Sequence, residues 1–367
     1  MHVKQRNLKS ISWMQSESEE ISMRNRAAYM TGLRKMEIRD IPYPEAKDNE
    51  VIVQMEYVGI CGSDVHYYEK GRIGSFIVNG DFILGHEGAG TIVAIGNDVS
   101  SHYVGERVAL EPGIPCGHCY YCKTGNYHLC PDVKFLATPP YDGCFMNYIA
   151  YPEDMVFSLP SSVSSKEGAL VEPLAVGIHA VEQGSVKLGD SVVILGSGCI
   201  GLMTLLAAKA SGASDITVVD IMDNRLEKAM EMGATRVINA RNEDVIAAID
   251  KLTKGRGVDI AFETAGNELT ARQTAHLIRR GGTAVLVGMT SSNSFEYDFA
   301  ELMAKEATIK TVFRYKNIYP AAISAIANGN IDLSKLNPTE YGFPDIAKAF
   351  EDNITHKSDI TKIVIRM

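Results

Sequence analysis

A histidine and a carboxylate stand side by side among glycines in Gly85-His86-Glu87-Gly88-Ala89-Gly90, and a thiol precedes them in Gly59-Ile60-Cys61-Gly62-Ser63-Asp64-Val65-His66. Thiolate, imidazole and carboxylate are donors that zinc accepts. Glycines on both sides of Ile60-Cys61 suit a tight turn with close backbone approach, which turns the thiol toward a cleft. A further acid, Glu172, lies among Leu170, Val171, Leu174 and Val176, where an unpaired carboxylate is expensive to bury and a metal, or water on a metal, would offset the cost. We read these residues as a catalytic zinc site in which Cys61 and His86 are constant ligands. The remaining protein position stays open between Glu87 and Glu172. Ser63 and His66 add a hydroxyl and an imidazole that can pass a proton to solvent.

A second cluster has a different character. Cys116, Cys119 and Cys122 follow at three-residue spacing and Cys130 comes eight residues later. Four thiolates on one short loop close a tetrahedron about zinc at roughly 2.3 Å per bond, with no position left for substrate, so this site is structural. His118 and His128 are bystanders to a shell that four sulfurs complete.

The third constellation is Gly196-Ser197-Gly198-Cys199-Ile200-Gly201, a GxGxxG turn. It has the context that the motif requires: an apolar strand before, a helix after, and a second strand ending in Asp220, 19 residues beyond Gly201. Glycines here let a pyrophosphate reach the helix N-terminus. Asp220 would accept from both ribose hydroxyls and repel a 2′-phosphate, which favours NAD over NADP; Arg225 tempers that preference or lines the adenine side.

The elements that must position these residues fall into two groups. Residues 50–58 are rich in the β-branched and aromatic types that suit a pleated surface, and Gly90, Gly96 and Gly105 punctuate a compact, barrel-like β region. From residue 188 strands and helices alternate: strands at 191–195, 215–220, 235–239, 258–263 and 282–288, with helices over 243–254 and 268–280 between the later ones. That alternation predicts a doubly wound parallel sheet with the cofactor over its carboxyl edge. The fold class is therefore α/β with a separate β-rich domain. From Thr308 the chain is expected to return to mixed structure and rejoin the first domain.

Composition agrees with small-molecule chemistry. The 367 residues suffice for two domains, with 46% hydrophobic and 22% charged residues. A net charge of −9 argues against a nucleic-acid or anionic-membrane partner. Residues 191–208 carry no charge but include three glycines and two serines, and read as strand plus helix rather than a membrane span. Seven cysteines, four of them within residues 116–130, do not resemble a secreted disulfide framework, and no apolar signal segment opens the chain, so a cytoplasmic setting is expected. Residues 1–22 read as a loose polar extension, with Met23 a possible true start.

Together, Cys61, the Gly85-His86-Glu87 run with Gly90 and Gly96, the four-cysteine loop and the Gly196 turn resemble the zinc-dependent medium-chain dehydrogenase/reductase superfamily from about Met23 onward. Residues 168–174, Ala137-Thr138-Pro139-Pro140 and Val312-Phe313-Arg314-Tyr315 look like its sorbitol and xylitol (polyol) dehydrogenase branch. The resemblance implies a GroES-like catalytic domain over residues 23–171 and 313–367, a Rossmann NAD domain over 172–312, two zinc ions per chain, a polyol or ketose substrate, and a homotetramer. Where alcohol dehydrogenases carry a cysteine as third ligand, this chain has Glu172. The implied reaction oxidises a secondary hydroxyl with zinc as Lewis acid, passes hydride to the nicotinamide, and releases a proton through zinc-bound water, Ser63 or His66, with Glu87 and Glu172 beside the reacting group. By the same resemblance Tyr67, Phe135, Thr138, Glu172, Arg314 and Tyr315 contact substrate, and Gly196, Gly198, Ile200, Gly201, Asp220, Arg225, Val287 and Arg314 contact cofactor. An alcohol, butanediol or threonine dehydrogenase of the same superfamily is the alternative, and a non-catalytic NAD-sensing zinc scaffold a more distant one.

Overall fold

The computed structural model describes residues 24–290 and 294–367. The expectations for residues 1–22 and for Met23 lie outside the described residues.

The central strand of the first part is Glu50–Ile60, whose Val51, Val53, Val58 and Ile60 are buried. It lies in a seven-stranded sheet between Glu87–Ile95 and Ile363–Arg366, both antiparallel to it. Register then decides the site. Gly59 faces Glu87 and Ile60 faces Ile363, so three strand ends meet at one edge of the sheet, bringing Cys61, His86 and Lys362 together. A Cβ at residue 59 would fall 1.9 Å from Glu87 Oε2 and 3.2 Å from Glu87 Cβ, so glycine is what lets the Glu87 side chain lie where it does.

The second part is a six-stranded parallel sheet. Its order is Arg236–Asn239, Asp215–Asp220, Ser191–Leu195, Val258–Glu263, Ile278–Leu286, Thr308–Thr311. The order reverses beside Ser191–Leu195, which is where doubly wound sheets open a crevice for ligands. Val192, Val193, Ile194 and Leu195 are all fully buried, as a strand covered on both faces requires. The uncharged run of residues 191–208 divides at Gly196 into this strand and the helix Cys199–Ala210. Among the described residues no helix is long and apolar enough to cross a membrane.

Two expectations change. The helix from Glu268 ends at Leu277 rather than Arg280, and the next strand begins at Ile278 rather than residue 282. Ile278 pairs with Val258, and Arg279 Nε donates to Asp259 Oδ1 at 2.6 Å; those tertiary partners draw the segment out of the helix, and the extra residues form a bulge before Thr283. Likewise Thr308–Thr311 does not leave the parallel sheet but pairs with Thr283 to Leu286 as its last strand. The helix Tyr319–Ala327 then packs on Val171–Gly184, and strands rejoin the first sheet from Thr339–Gly342 onward.

A continuous buried cluster runs from Ala89 and Ala109 through Leu170 and Leu174 to Val192 and Leu202. The helix Val171–Gly184 is thus the beam between the two sheets. Glu172 sits in its first turn, where the helix dipole favours a negative charge.

Candidate active site

Asp64 ties the two ligand-bearing loops together. Its Oδ2 accepts from Cys61 N and its Oδ1 from Gly85 N, each at 3.0 Å. One donor atom from each of Cys61, His86 and Glu87 lies within 4.8 Å of the others. His86 Nδ1 lies 3.5 Å from Asp64 Oδ1, close enough for charge attraction if the ring is protonated, yet it is buried without a hydrogen bond among the described residues. A soft thiol, an imidazole with an orphaned nitrogen, and a carboxylate cradled on a bare glycine form a donor set that fits zinc.

Behind Glu87 stands a residue that sequence reasoning missed. Lys362 is 4% exposed, donates to Ile60 O at 3.0 Å, and pairs through Nζ with Glu87 Oε2. Burial acts to lower its pKa, but the Glu87 charge and the nearby Cys199 and Cys61 thiols raise it, so the amine stays charged. A faint signal existed: Lys362 is the only charge in the apolar run of residues 360–365, and a lysine there is buried only when paired. Asp64 was also missed, since a single aspartate in a turn carries no distinctive spacing.

Glu172 lies outside the three-donor group. It is 5% exposed, and its Oε1 accepts from Tyr315 OH at 2.9 Å. Burial pushes its carboxyl up to about 7, against the lowering effect of His86. Above His86 sits the Phe135 ring, with centroids 5.7 Å apart, and over Phe135 lies the Arg314 guanidinium at 4.1 Å. Arg314 Nη1 is buried with no hydrogen-bond partner among the described residues. Tyr67 is buried and its phenol is pushed up to about 12 by burial. Thr138 closes the turn after Phe135, its N–H donating to the Phe135 carbonyl at 3.1 Å. Ser63 and His66 lie on the helix Gly62–Lys70, both half-buried, with burial lowering the His66 pKa.

Next to this wall lies Glu111, whose Oε1 accepts from Tyr127 OH at 2.7 Å. Burial outweighs that hydrogen bond, and with the Glu172 charge nearby the Glu111 carboxyl is pushed up to about 7. The sign follows directly. Between the unfolded carboxylate value and about 7 the folded state holds a proton that the unfolded state has lost, so stability falls as pH rises through that window. Glu111→Gln, which keeps the acceptor and removes the charge, is expected to gain on the order of 3 kcal/mol relative to wild type between pH 5 and pH 8. Denaturant unfolding at the two pH values checks it; an unchanged difference contradicts it.

The four cysteines converge as well. One sulfur from each of Cys116, Cys119, Cys122 and Cys130 lies within 4.8 Å of the others, and all are free thiols. Backbone N–H groups of Cys116 and Cys119 donate to Cys130 Sγ and Cys116 Sγ at 3.4 Å. His118 turns to the Cys116 carbonyl and His128 to the His179 ring; neither joins the sulfur group.

A groove of about 690 Å³ starts at Cys61 and Glu87, passes Gly196, Gly198, Cys199 and Ile200, and ends at Asp220 and Arg225. Asp220 is held by the backbone: Oδ2 accepts from Ser197 N at 2.8 Å and Oδ1 from Ile221 N at 2.7 Å. Gly201 lies under the turn, where a Cβ would meet Gly196 O at 1.9 Å. Arg225 Nη2 donates to Lys357 O at 2.5 Å, so the C-terminal segment forms the opposite wall. Val287 and Arg314 are not in this lining; Val287 packs against the core, and Arg314 borders a small cavity with Glu111 and Tyr127.

Comparison with known proteins meets this geometry. The chain is 44% identical to sorbitol dehydrogenase of Bacillus subtilis over 340 residues, covering 93% of this chain and 96% of that protein. The chain belongs to the zinc-dependent medium-chain dehydrogenases. Residues 47–161 match the alcohol dehydrogenase GroES-like domain and residues 199–328 the zinc-binding dehydrogenase domain. Among solved structures, this dehydrogenase superposes with a TM-score of 0.90 on an Escherichia coli oxidoreductase/dehydrogenase of unknown specificity, 45% identical, covering 94% and 99% of the two chains. On 2R,3R-butanediol dehydrogenase of Bacillus subtilis the TM-score is 0.86 at 33% identity, with the same coverage. A GroES-like part and a Rossmann sheet, zinc, and a nicotinamide dinucleotide are therefore this dehydrogenase's fold and cofactors.

Proposed function

We propose that this dehydrogenase oxidises a secondary hydroxyl of a polyol such as sorbitol or xylitol to the ketose, with NAD as hydride acceptor. The observation that carries the proposal is one continuous groove with Cys61 and Glu87, two of the three clustered metal donors, at one end and the glycine turn with Asp220 at the other. A cleft of that form brings a substrate carbon and a nicotinamide within reach, as hydride transfer needs. Cys61, His86 and Glu87 would hold zinc, which supplies Lewis acidity that makes a hydroxyl easier to deprotonate. The chain's own residues do the rest. Lys362 neutralises Glu87, and Asp64 fixes the spacing of the two ligand loops. Glu172, oriented by Tyr315, takes up and passes on the proton; Ser63 and His66 lead it toward solvent. Arg314 Nη1, buried and without a partner among the described residues, offers a donor to a second hydroxyl, which a polyol has and a simple alcohol lacks. Cys116, Cys119, Cys122 and Cys130 would hold the structural zinc. The high identity to sorbitol dehydrogenase supports the same reading.

Butanediol and threonine are the competing substrates, and the 33% identity to a butanediol dehydrogenase favours testing the former. A side-by-side measurement of kcat/KM for sorbitol, xylitol, butanediol and threonine with NAD decides. The polyols are expected to lead by at least about tenfold, roughly one buried hydrogen bond. A clear lead for butanediol or threonine overturns the polyol assignment.

A further inference from the structure

The segment that brings Arg314 and Tyr315 to the site is anchored on the four-cysteine lobe. Arg314 and Asn317 both have φ of +56, a left-handed conformation that asparagine tolerates but that is uncommon for arginine and has to be held there by surrounding contacts. Phe135 and Glu172 hold Arg314 and Tyr315 from the cleft side, and the contacts on the two residues that follow come from the cysteine lobe. Asn317 N donates to Tyr127 OH at 2.7 Å, Asn317 Nδ2 to Gly125 O at 3.3 Å, and Lys316 Nζ to Asn126 Oδ1. Asn126 is itself oriented by Thr124, to whose Oγ1 and carbonyl it donates at 3.2 and 3.3 Å. Residues 124–127 lie between Cys122 and Cys130, inside the loop that the four sulfurs close. Tyr127 in turn donates to Glu111, and Glu111, Tyr127, Phe135, Arg314 and Tyr315 share one small cavity.

We propose that the cysteine lobe sets the substrate-binding geometry, with Asn126 and Tyr127 as positioning residues for Arg314 through Lys316 and Asn317. A lobe closed by metal gives the strained segment a rigid abutment, so the lobe tunes substrate affinity besides stabilising the fold. The inference rests on the reading above that Arg314 meets the polyol.

The test uses the full-length, zinc-loaded enzyme. Asn126→Ala and Tyr127→Phe are each expected to raise the polyol KM about tenfold, since small misplacements of a binding group are costly. The kcat and the NAD KM should stay within about twofold, as expected when only uniform substrate binding is lost. Zinc content should stay unchanged, and Asn126→Asp, which keeps an acceptor for Lys316, should restore the KM. In an Arg314→Ala background, Asn126→Ala should add nothing, because the two act through one contact. A lower melting temperature with unchanged polyol KM, or the same tenfold rise with and without Arg314, overturns the proposal. An Arg314→Ala single variant with wild-type KM removes the substrate contact itself and with it the basis of the inference, an outcome separate from failure of the lobe variants alone.

Discussion

Glu87→Gln is expected to unfold more readily than wild type by about 3–5 kcal/mol, the usual consequence of leaving one member of a buried ion pair alone. The reason lies in Lys362, whose amine is buried against Glu87 with, among the described residues, only the Ile60 carbonyl as a further acceptor. Removing the carboxylate charge leaves that buried ammonium without a counter-charge. The same substitution withdraws one of three clustered donors, so zinc binding at this site weakens by more than the roughly 10–100-fold that loss of an outer partner costs. The two effects separate in the double variant. Glu87→Gln with Lys362→Met removes both charges and is expected to recover most of the stability, as buried pairs replaced by apolar groups do, while the zinc and the turnover stay lost. Denaturant unfolding of the metal-free proteins checks the first half. Full recovery of turnover in the double variant would contradict the second.

Glu172→Gln should lower kcat by about 10²–10⁴, the span that a positioned proton-transfer group contributes, with fold and metal content intact. The amide keeps the acceptor for Tyr315 OH and the shape of the first helical turn. It lacks the charge that burial already disfavours, so stability is held or improved. Wild-type turnover is expected to rise with pH as the carboxyl, pushed up to about 7 by burial, ionises, and that limb should be missing from the variant's pH–rate profile. Steady-state kinetics across pH decide the matter. Unaltered kcat, or an unaltered acid limb, places proton transfer elsewhere.

These predictions turn on residues of unequal legibility. Cys61, His86, Glu87 and the four cysteines could be read from the chain because metal chemistry restricts residue type and the loops restrict spacing. The Gly196 turn and Asp220 were legible because a strand, a turn and a helix fix them locally. Lys362 was not, because its partner is 275 residues away and their meeting depends on the last strand pairing Ile363 with Ile60. The same holds for Tyr127 and Asn317, whose contact spans 190 residues. Propensity alone also misplaced the end of the helix Glu268–Leu277, where pairing with Val258 and the Asp259 charge prevail over local helix preference. Sequence left Glu87 and Glu172 as rival ligands; in the structure the former lies among the metal donors and the latter against Tyr315.

The most direct test of the account is a count of zinc in the purified protein and in the Glu87→Gln/Lys362→Met variant. Four sulfurs closing one site and Cys61, His86 and Glu87 forming the other predict two zinc ions per chain in wild type and one in the variant, which stays folded but inactive. A variant that keeps both ions, or an active wild type holding only one, would contradict it.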